Sequence, residues 1–336
     1  MANLQTTYMG LQLKNPLVVG ACSLTAHMDS IKKIEESGAG ALVISSLFEE
    51  QINLQQVRME EELSMHDHSD AEMGDLFPDV EHGGPTEHLY WVKKAKDAVS
   101  IPVIASLNCT NESTWIEWAK KLEETGVDGL ELNFFAIPMD ADYDADKIEE
   151  QQLAVLKSVL KAVKIPVSVK LSPFYTNPLN VVRRMTDAGV KGCVLFNRMF
   201  HPSFDIDKET SRFPFNLSTP SDHRLPLRYA GLLHDAVASD VCSSNGIHSA
   251  EDAVEVLLAG AQVFQVVSTV YKHKLKVVGE ILNGIESWMD GKGYADLASF
   301  RGKLSASNTN DRWDYRRAQY VRTLLQSDQH VARPAL

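Results

Sequence analysis

The sequence predicts an α/β protein that folds as a (β/α)8 TIM barrel, with two long βα-loop insertions and a C-terminal helical tail. Eight short, continuously apolar runs recur along the chain, and amphipathic helical patterns separate most of them. Continuous rather than alternating apolar runs are typical of parallel strands buried on both faces. A doubly wound sheet is the alternative fold, but eight βα units over about 270 residues favour the barrel.

The elements follow in a regular order. The segment TTYMGLQLKNP precedes the first strand, and we expect it to form a hairpin that closes the bottom of the barrel. The strand predictions are PLVVGA (16–21), GALVISS (40–46), IPVIASL (101–107), GLELNF (129–134), IPVSVKL (165–171), GCVLFN (192–197), DVCSSN (240–245) and VFQVVST (263–269). Helices are predicted between them where an apolar stripe ends at a glycine. Clear cases are SIKKIEESGAG, AEDAVEVLLAGA and STWIEWAKKLEETG, the last with a stripe of Trp115, Ile116, Ala119 and Leu122.

Two long polar segments interrupt this order, residues 47–86 and 198–226. Each follows a strand, so both are predicted at the C-terminal face of the barrel, where barrel active sites are built and long loops often act as lids. The barrel is predicted to occupy residues 1–304 and a helical extension residues 305–336. In the extension we expect one helical face to pack on the barrel or on a partner subunit, formed by Trp313, Tyr320, Leu324 and Leu325.

Composition excludes several classes of function. The net charge of −12 and the lack of a Lys/Arg run argue against nucleic-acid binding. No apolar run reaches the roughly 18 residues that span a bilayer, and the N-terminus lacks a signal-peptide pattern, so a cytoplasmic protein without membrane association is predicted. The four cysteines show no CxxC pair and are interpreted as buried thiols. The histidines of HDHSD (66–70) are interpreted as solvated, so no metal site is predicted.

Two groups of residues indicate a ligand site. Lys170 lies in an apolar strand, and a buried lysine is costly unless an anion or an electron-rich group meets it. A structural ion pair inside the barrel is the alternative. Gly246, Ser268 and Thr269 follow the last two strands, where small residues let backbone N–H groups approach a phosphate at a helix N-terminus. The alternative is that they only turn strands into helices.

Several segments resemble one family. ELNFFAIP, from Glu131 to Pro138, resembles the ELN-x-S-C-P-N motif of the dihydroorotate dehydrogenases. Further segments resemble others of that family: IPVSVKLSPFYTN, NGIHSAEDAVEVLLAGAQVFQVVST and KGYADLASFRGKLS. The resemblance covers the chain up to about residue 304 and points to the soluble class. It implies an FMN-binding barrel, a small-molecule substrate, a role in pyrimidine metabolism and a homodimer.

The resemblance also assigns residues to the flavin. Lys170 and Asn133 would hold its ring, while Gly246, Ser268 and Thr269 would hold its phosphate. The complete set of flavin-site residues implied in this way is Ala21, Cys22, Ser45, Asn133, Lys170, Asn197, Asn245, Gly246, Ser268 and Thr269. A buried thiol is the alternative interpretation of Cys22, and satisfied structural amides are the alternative for the two strand-end asparagines.

The chain departs from the family at its catalytic positions. Ala136 stands where the soluble class has its catalytic cysteine, and a methyl group cannot take a proton. Ser45 replaces a lysine, Pro138 replaces a substrate-binding asparagine, and residues 47–86 lack the family's N-x-M-G-L-x-N loop. The sequence therefore predicts hydride transfer at flavin N5 with a small substrate other than dihydroorotate. A non-catalytic flavin- or pyrimidine-binding protein is one alternative. Dihydroorotate dehydrogenase with a substitute base, for which Cys109 is the candidate, is the other.

Overall fold

The computed structural model describes residues 2–54, 84–135, 137–311 and 313–326. Ala136, the HDHSD segment and most of the first insertion therefore lie outside the described residues. The described strands are β1 Thr6–Tyr8, β2 Leu11–Leu13, β3 Leu17–Val19, β4 Ala41–Val43, β5 Leu47–Phe48, β6 Val103–Asn108, β7 Gly129–Asn133, β8 Val167–Leu171, β9 Gly192–Leu195, β10 Ser203–Asp205, β11 Thr210–Arg212, β12 Asp240–Ser244 and β13 Val263–Val266.

Eight of these strands close a parallel barrel within the described residues. Their order around the barrel is β3-β4-β6-β7-β8-β9-β12-β13, and β13 pairs again with β3. Each of the eight predicted apolar runs overlaps one barrel strand, and only β6 extends beyond its run, by one residue, so the predicted (β/α)8 barrel is confirmed. The strands run in parallel because each is followed by a crossover segment, mostly helical, that returns the chain to the same end.

Helices surround this barrel. Their bounds are Met28–Glu36, Pro85–Ala98, Glu112–Glu124, Ala145–Ala162, Pro178–Ala188, Arg224–Leu233, Ala250–Ala259, Ser268–His273, Lys276–Lys292 and Arg317–Leu325. In Glu112–Glu124 the buried stripe is Trp115, Trp118, Ala119 and Leu122. Including Ile116 in that stripe was wrong, because Ile116 is only half-buried and Trp118, three residues after Trp115, takes its place.

The N-terminal hairpin plugs the bottom of the barrel, as predicted. β1 and β2 pair in antiparallel register, with Tyr8 opposite Leu11. Tyr8 and Met9 at the turn are buried among inward-facing residues of the barrel strands, such as Val18 and Val194. The Met9 backbone N–H also donates to the Asp240 carboxylate over 2.7 Å. The lower half of the barrel interior is thus apolar, which leaves the polar inward positions for the upper half.

The tail contacts the barrel through a residue that was not predicted to do so. Tyr315 lies against Gly231 in the helix Arg224–Leu233, and its hydroxyl donates to the Leu304 carbonyl over 2.6 Å. The predicted apolar face does not pack on the barrel, because its side chains are at least half exposed: Trp313, Tyr320, Leu324 and Leu325. Tyr315 lies between Leu304 and the last helix, and it is this connecting segment that contacts the barrel. None of the helices among the described residues is long and apolar enough to cross a membrane.

Candidate functional site

A cavity of about 630 Å³ opens at the carboxyl ends of the barrel strands. This volume is within the range of cofactor and ligand sites. The described residues that line it include nine of the ten predicted flavin-site residues: Ala21, Cys22, Ser45, Lys170, Asn197, Asn245, Gly246, Ser268 and Thr269. They come together because each follows, or ends, a parallel strand, and parallel strands deliver their carboxyl ends to one face.

Asn133 is the predicted residue that is not among the described residues lining the cavity. It lies directly behind Asn197, whose side-chain amide donates to the Asn133 side-chain oxygen over 3.0 Å. The two predicted asparagines therefore contact each other, and Asn133 orients the one that reaches the cavity. This pairing also satisfies both amides structurally, as the alternative interpretation proposed.

The floor of the cavity carries a cluster of buried polar side chains. The Lys170 ammonium donates to Gln265 Oε1 over 3.1 Å and lies 3.5 Å from Glu131 Oε1. Gln265 in turn donates through its Nε2 to Glu131 Oε2 over 2.6 Å. Lys170 therefore lines the cavity, as predicted for a residue that meets a ligand, and it also forms the ion pair inside the barrel that was the alternative interpretation. Glu131 and Gln265 were missed as site residues, although their alternate-residue spacing on inward-facing strand positions was a usable signal.

The opposite end of the cavity contains the residues predicted to hold a phosphate. The Ser268 hydroxyl accepts a hydrogen bond from the Ser218 backbone N–H over 2.9 Å. The Thr269 hydroxyl donates to the Ile247 carbonyl. Gly246 has a φ of +72°, and a Cβ atom there would collide with the backbone nitrogen of His223. Glycine is therefore required at this position by the packing of the second insertion, whether or not a ligand is bound.

The second insertion is tied to this end of the cavity. The Lys272 ammonium donates to the Ser218 carbonyl over 2.6 Å, and the Ser218 hydroxyl lies 3.2 Å from His248 Nε2. Burial, and then the nearby Lys272 charge, lower the pKa of His248. Sequence reasoning missed Ser218, Lys272 and His248. Lys272 carried a usable signal, because it lies one helical turn beyond Thr269 and so shares its face.

Aromatic side chains form the outer wall of the cavity. The rings of Phe200 and Phe215 stack with centroids 5.0 Å apart, and Phe215 meets the Tyr271 ring edge-on at 6.0 Å. The Tyr271 hydroxyl accepts from the Ser23 backbone N–H over 2.9 Å, which links this wall to the loop after β3. Such a wall offers a flat apolar surface to a planar ligand.

The charged side chains that line the cavity are cationic, although the chain as a whole is acidic. Lys170 and Arg198 line it, and none of the described lining residues is a carboxylate. Arg198 also donates to the Asn216 and Leu217 carbonyls and lies 3.1 Å from the Asp222 carboxylate, so it joins the start of the second insertion to its later part. A cation-lined cavity in a protein of net charge −12 suits an anionic ligand.

The thiols differ in their surroundings. Cys22 is half-buried at the cavity wall, and burial raises its pKa. Cys109, the candidate substitute base, is packed in the hydrophobic core and is not one of the described residues that line the cavity. Burial, and then the Glu49 charge, raise the pKa of Cys109 far above its usual range. A thiol that is hard to ionise and does not line the cavity is poorly suited to take a proton from a substrate.

The closed barrel and its ligand-sized, cation-lined cavity define a (β/α)8-barrel protein that binds at the carboxyl ends of its strands. The family model for dihydroorotate dehydrogenase matches residues 3–289, and the chain belongs to this family of FMN-dependent oxidoreductases. The family resemblance carried by the motifs is thereby confirmed.

Relatives from several archaea match most of the chain. They include proteins named dihydroorotate dehydrogenase B (NAD(+)), catalytic subunit, from three organisms. The Thermoplasma volcanium protein is 25% identical, covering 90% of this chain and 98% of its own. The Methanocaldococcus jannaschii protein is 27% identical, covering 85% and 93%. The Methanosarcina acetivorans protein is 29% identical, covering 87% and 93%.

Proposed function

We propose that this chain is an FMN-dependent oxidoreductase that exchanges a hydride with a small substrate other than dihydroorotate. The observation that carries the proposal is the combination of a retained cofactor set with Ala136 at the position of the family's base. Family membership supports the cofactor, and the cavity supports it independently. The loss of the base, of the strand-two lysine and of the substrate loop in the sequence argues against dihydroorotate.

The residues of the cavity fit FMN by their chemistry. Lys170 at the floor suits the electron-rich edge of a flavin ring, and the aromatic wall suits the ring's flat face. The Ser268 hydroxyl, with the Lys272 ammonium close by, suits a phosphate at the other end, where Thr269 also lines the cavity. When bound, the flavin supplies a hydride donor or acceptor at its N5 atom.

The protein's own groups would bind and orient in this reaction. Gln265 fixes the Lys170 ammonium, and Asn133 fixes the Asn197 amide that reaches the cavity. Phe200, Phe215 and Tyr271 would exclude water from the mouth. We favour a substrate that can be oxidised or reduced without proton removal by residue 136. By the same resemblance we infer that the protein is a homodimer in the cytoplasm. Light scattering of the purified protein would test the homodimer.

An anaerobic visible spectrum of the purified protein tests the proposal. We expect a flavin spectrum that stays oxidised with dihydroorotate and bleaches with another reductant, the first candidates being NADH and NADPH. Bleaching by dihydroorotate would overturn the substrate assignment and favour a substitute base. A flavin that no candidate reduces would favour the non-catalytic binding protein, and a protein that takes up no FMN would overturn the cofactor.

The variant Ala136→Cys separates two reasons for inactivity toward dihydroorotate. If the missing base were the whole cause, restoring the cysteine would restore bleaching, because the base typically contributes about 10²–10⁴-fold in rate. We expect no bleaching from this variant, because Ser45 and the missing loop also remove substrate contacts. The variant Ala136→Val, which enlarges the side chain at the same place without adding a group that can accept a proton, is the matched control.

A further inference from the structure

Three polar side chains beneath the cavity floor are almost completely buried. Lys170 is 7% exposed, Glu131 1% and Gln265 2%. Gln265 bridges the two charges, since its Oε1 accepts from Lys170 over 3.1 Å and its Nε2 donates to Glu131 over 2.6 Å. Lys170 and Gln265 line the cavity, whereas Glu131 is not one of the described residues that do. Glu131 therefore meets the cavity only through its two neighbours.

The charges of this cluster balance at close range. Glu131 Oε1 lies 3.5 Å from the Lys170 ammonium and has no hydrogen-bond partner among the described residues. Two opposite charges so close offset each other's field, and burial reduces solvent screening of both. The lysine still keeps donor capacity toward the cavity, because an ammonium has three N–H groups and Gln265 takes one. The floor thus offers directed N–H groups with little net charge.

We infer that Glu131 is a positioning residue that holds Lys170 through Gln265 and lowers the reduction potential of the flavin in the cavity. The inference rests on the proposed FMN function. A reduced flavin carries more negative charge than an oxidised one, so an uncompensated cation beside it favours the reduced state. Because Glu131 offsets that cation, it favours the oxidised state relative to a floor with lysine alone.

The test is the midpoint potential of the bound flavin, measured by anaerobic dye-equilibrium titration in mildly alkaline buffer, where the reduced flavin keeps its negative charge. We expect Glu131→Gln, which keeps the shape of the side chain and removes its charge, to raise the potential. Glu131→Asp, which withdraws the carboxylate, should give a smaller rise, and it serves as the test variant if Glu131→Gln does not fold. Ser168→Ala is the matched control, because Ser168 is buried in β8, carries no charge and donates its hydroxyl to the Leu130 carbonyl; its potential should equal that of the unmodified protein.

A second comparison asks whether Glu131 acts through Lys170. The double variant Lys170→Met/Glu131→Gln should have a lower potential than Glu131→Gln, because the uncompensated cation is gone. Equal potentials in these two variants, or a potential in Glu131→Gln unchanged from the unmodified protein, would overturn this inference alone. An unmodified protein that takes up no FMN would overturn the proposed function and this inference with it.

Discussion

The carboxylate of Glu49 shows how one buried residue organises the entrance to the first insertion. It is 3% exposed and accepts hydrogen bonds from the Thr110 and Asn111 backbone N–H groups. The side chains of Thr110, Asn111 and Thr114 donate to it as well. Burial by itself would raise the pKa of Glu49, but these bonds outweigh it and hold the pKa at about 2. Glu49 thereby joins the segment after β5 to the loop that follows β6.

We expect Glu49→Gln to lower the free energy of unfolding by about 1–3 kcal/mol at neutral pH, because the buried donors lose a charged acceptor. A carboxyl group whose folded pKa is depressed stabilises the protein above its unfolded pKa, and this contribution is lost as the pH falls through the folded value. The difference in the free energy of unfolding between Glu49→Gln and the unmodified protein should therefore shrink as the pH falls from about 4.5 to about 2. Urea denaturation across this range measures it, with the exposed neighbour Glu50→Gln as control. A deficit independent of pH would contradict the prediction.

The Lys170–Glu131 pair predicts a non-additive result. Lys170→Met alone leaves the Glu131 carboxylate buried without its partner, which typically costs about 3–5 kcal/mol. The double variant Lys170→Met/Glu131→Gln removes both charges and should recover most of that loss. Urea denaturation of the flavin-free proteins gives the comparison. Lys96→Met, which opens a half-exposed pair with Asp128, should cost less than about 1 kcal/mol. Additive losses in the double variant would show that the two charges do not stabilise each other.

At the scale of elements, the second insertion and the tail are held by a few specific contacts. Arg198 joins the start of the second insertion to its later part, and Lys272 fastens the insertion to the helix Ser268–His273, each through backbone carbonyls. Tyr315 fastens the tail, and Arg228 adds a hydrogen bond to Gln319 over 2.9 Å. The last helix, Arg317–Leu325, buries none of its residues. Its attachment therefore depends on the contacts of Tyr315 and Gln319 rather than on an apolar face.

We expect Gly231→Ala to release the tail without destabilising the barrel. The new methyl group would collide with the Tyr315 ring, whose side chain must then move away. Alanine is otherwise favoured over glycine within a helix by about 1 kcal/mol. Limited trypsin digestion should cut faster at Arg316 and Arg317, while the thermal midpoint stays the same or rises. Gly291→Ala is the control, because no atom lies within 4 Å of the place that a Cβ atom on residue 291 would occupy. Unchanged digestion would mean that Tyr315 does not hold the tail.

At the scale of the whole molecule, the cavity draws on loops from both ends of the sequence. Its lining extends from Ala21 to Tyr271, so a ligand that fills it would bridge much of the barrel. A ligand that binds only the folded state stabilises it by about 2.7 kcal/mol at a hundredfold excess over its dissociation constant. For a chain of this length that corresponds to a rise of about 4 °C in the thermal midpoint.

We therefore expect FMN to raise the thermal midpoint of the flavin-free protein, and riboflavin to raise it less at the same concentration. The difference reflects the phosphate, which only FMN presents to Ser268, Thr269 and their surroundings. Differential scanning fluorimetry, read through tryptophan emission to avoid flavin fluorescence, measures both. Equal shifts for the two ligands would contradict the assignment of the phosphate end, and no shift for either would contradict flavin binding.

The sequence by itself determined the barrel and the positions of its eight strands, and its resemblance to the family pointed to nine of the residues that line the cavity. The barrel follows from local signals, since apolar runs mark buried strands and the carboxyl ends of parallel strands meet at one face. The sequence also determined that Ala136 stands at the base position, which requires no coordinates. Trp118 was missed because both Ile116 and Trp118 lie three or four residues from other members of the apolar stripe. Periodicity alone did not decide which of the two is buried.

Only the tertiary structure decided which side chains meet. Lys170 and Gln265 are 95 positions apart, and Gln265 and Glu131 are 134 apart. Their contact exists because barrel closure brings β7, β8 and β13 around one interior. Tertiary packing also joins Ser218 of the second insertion to Ser268 and places Cys109 in the hydrophobic core. The sequence identifies residues with suitable chemistry, whereas their distances and partners depend on how strands distant in sequence are packed, and local patterns carry no information about that packing.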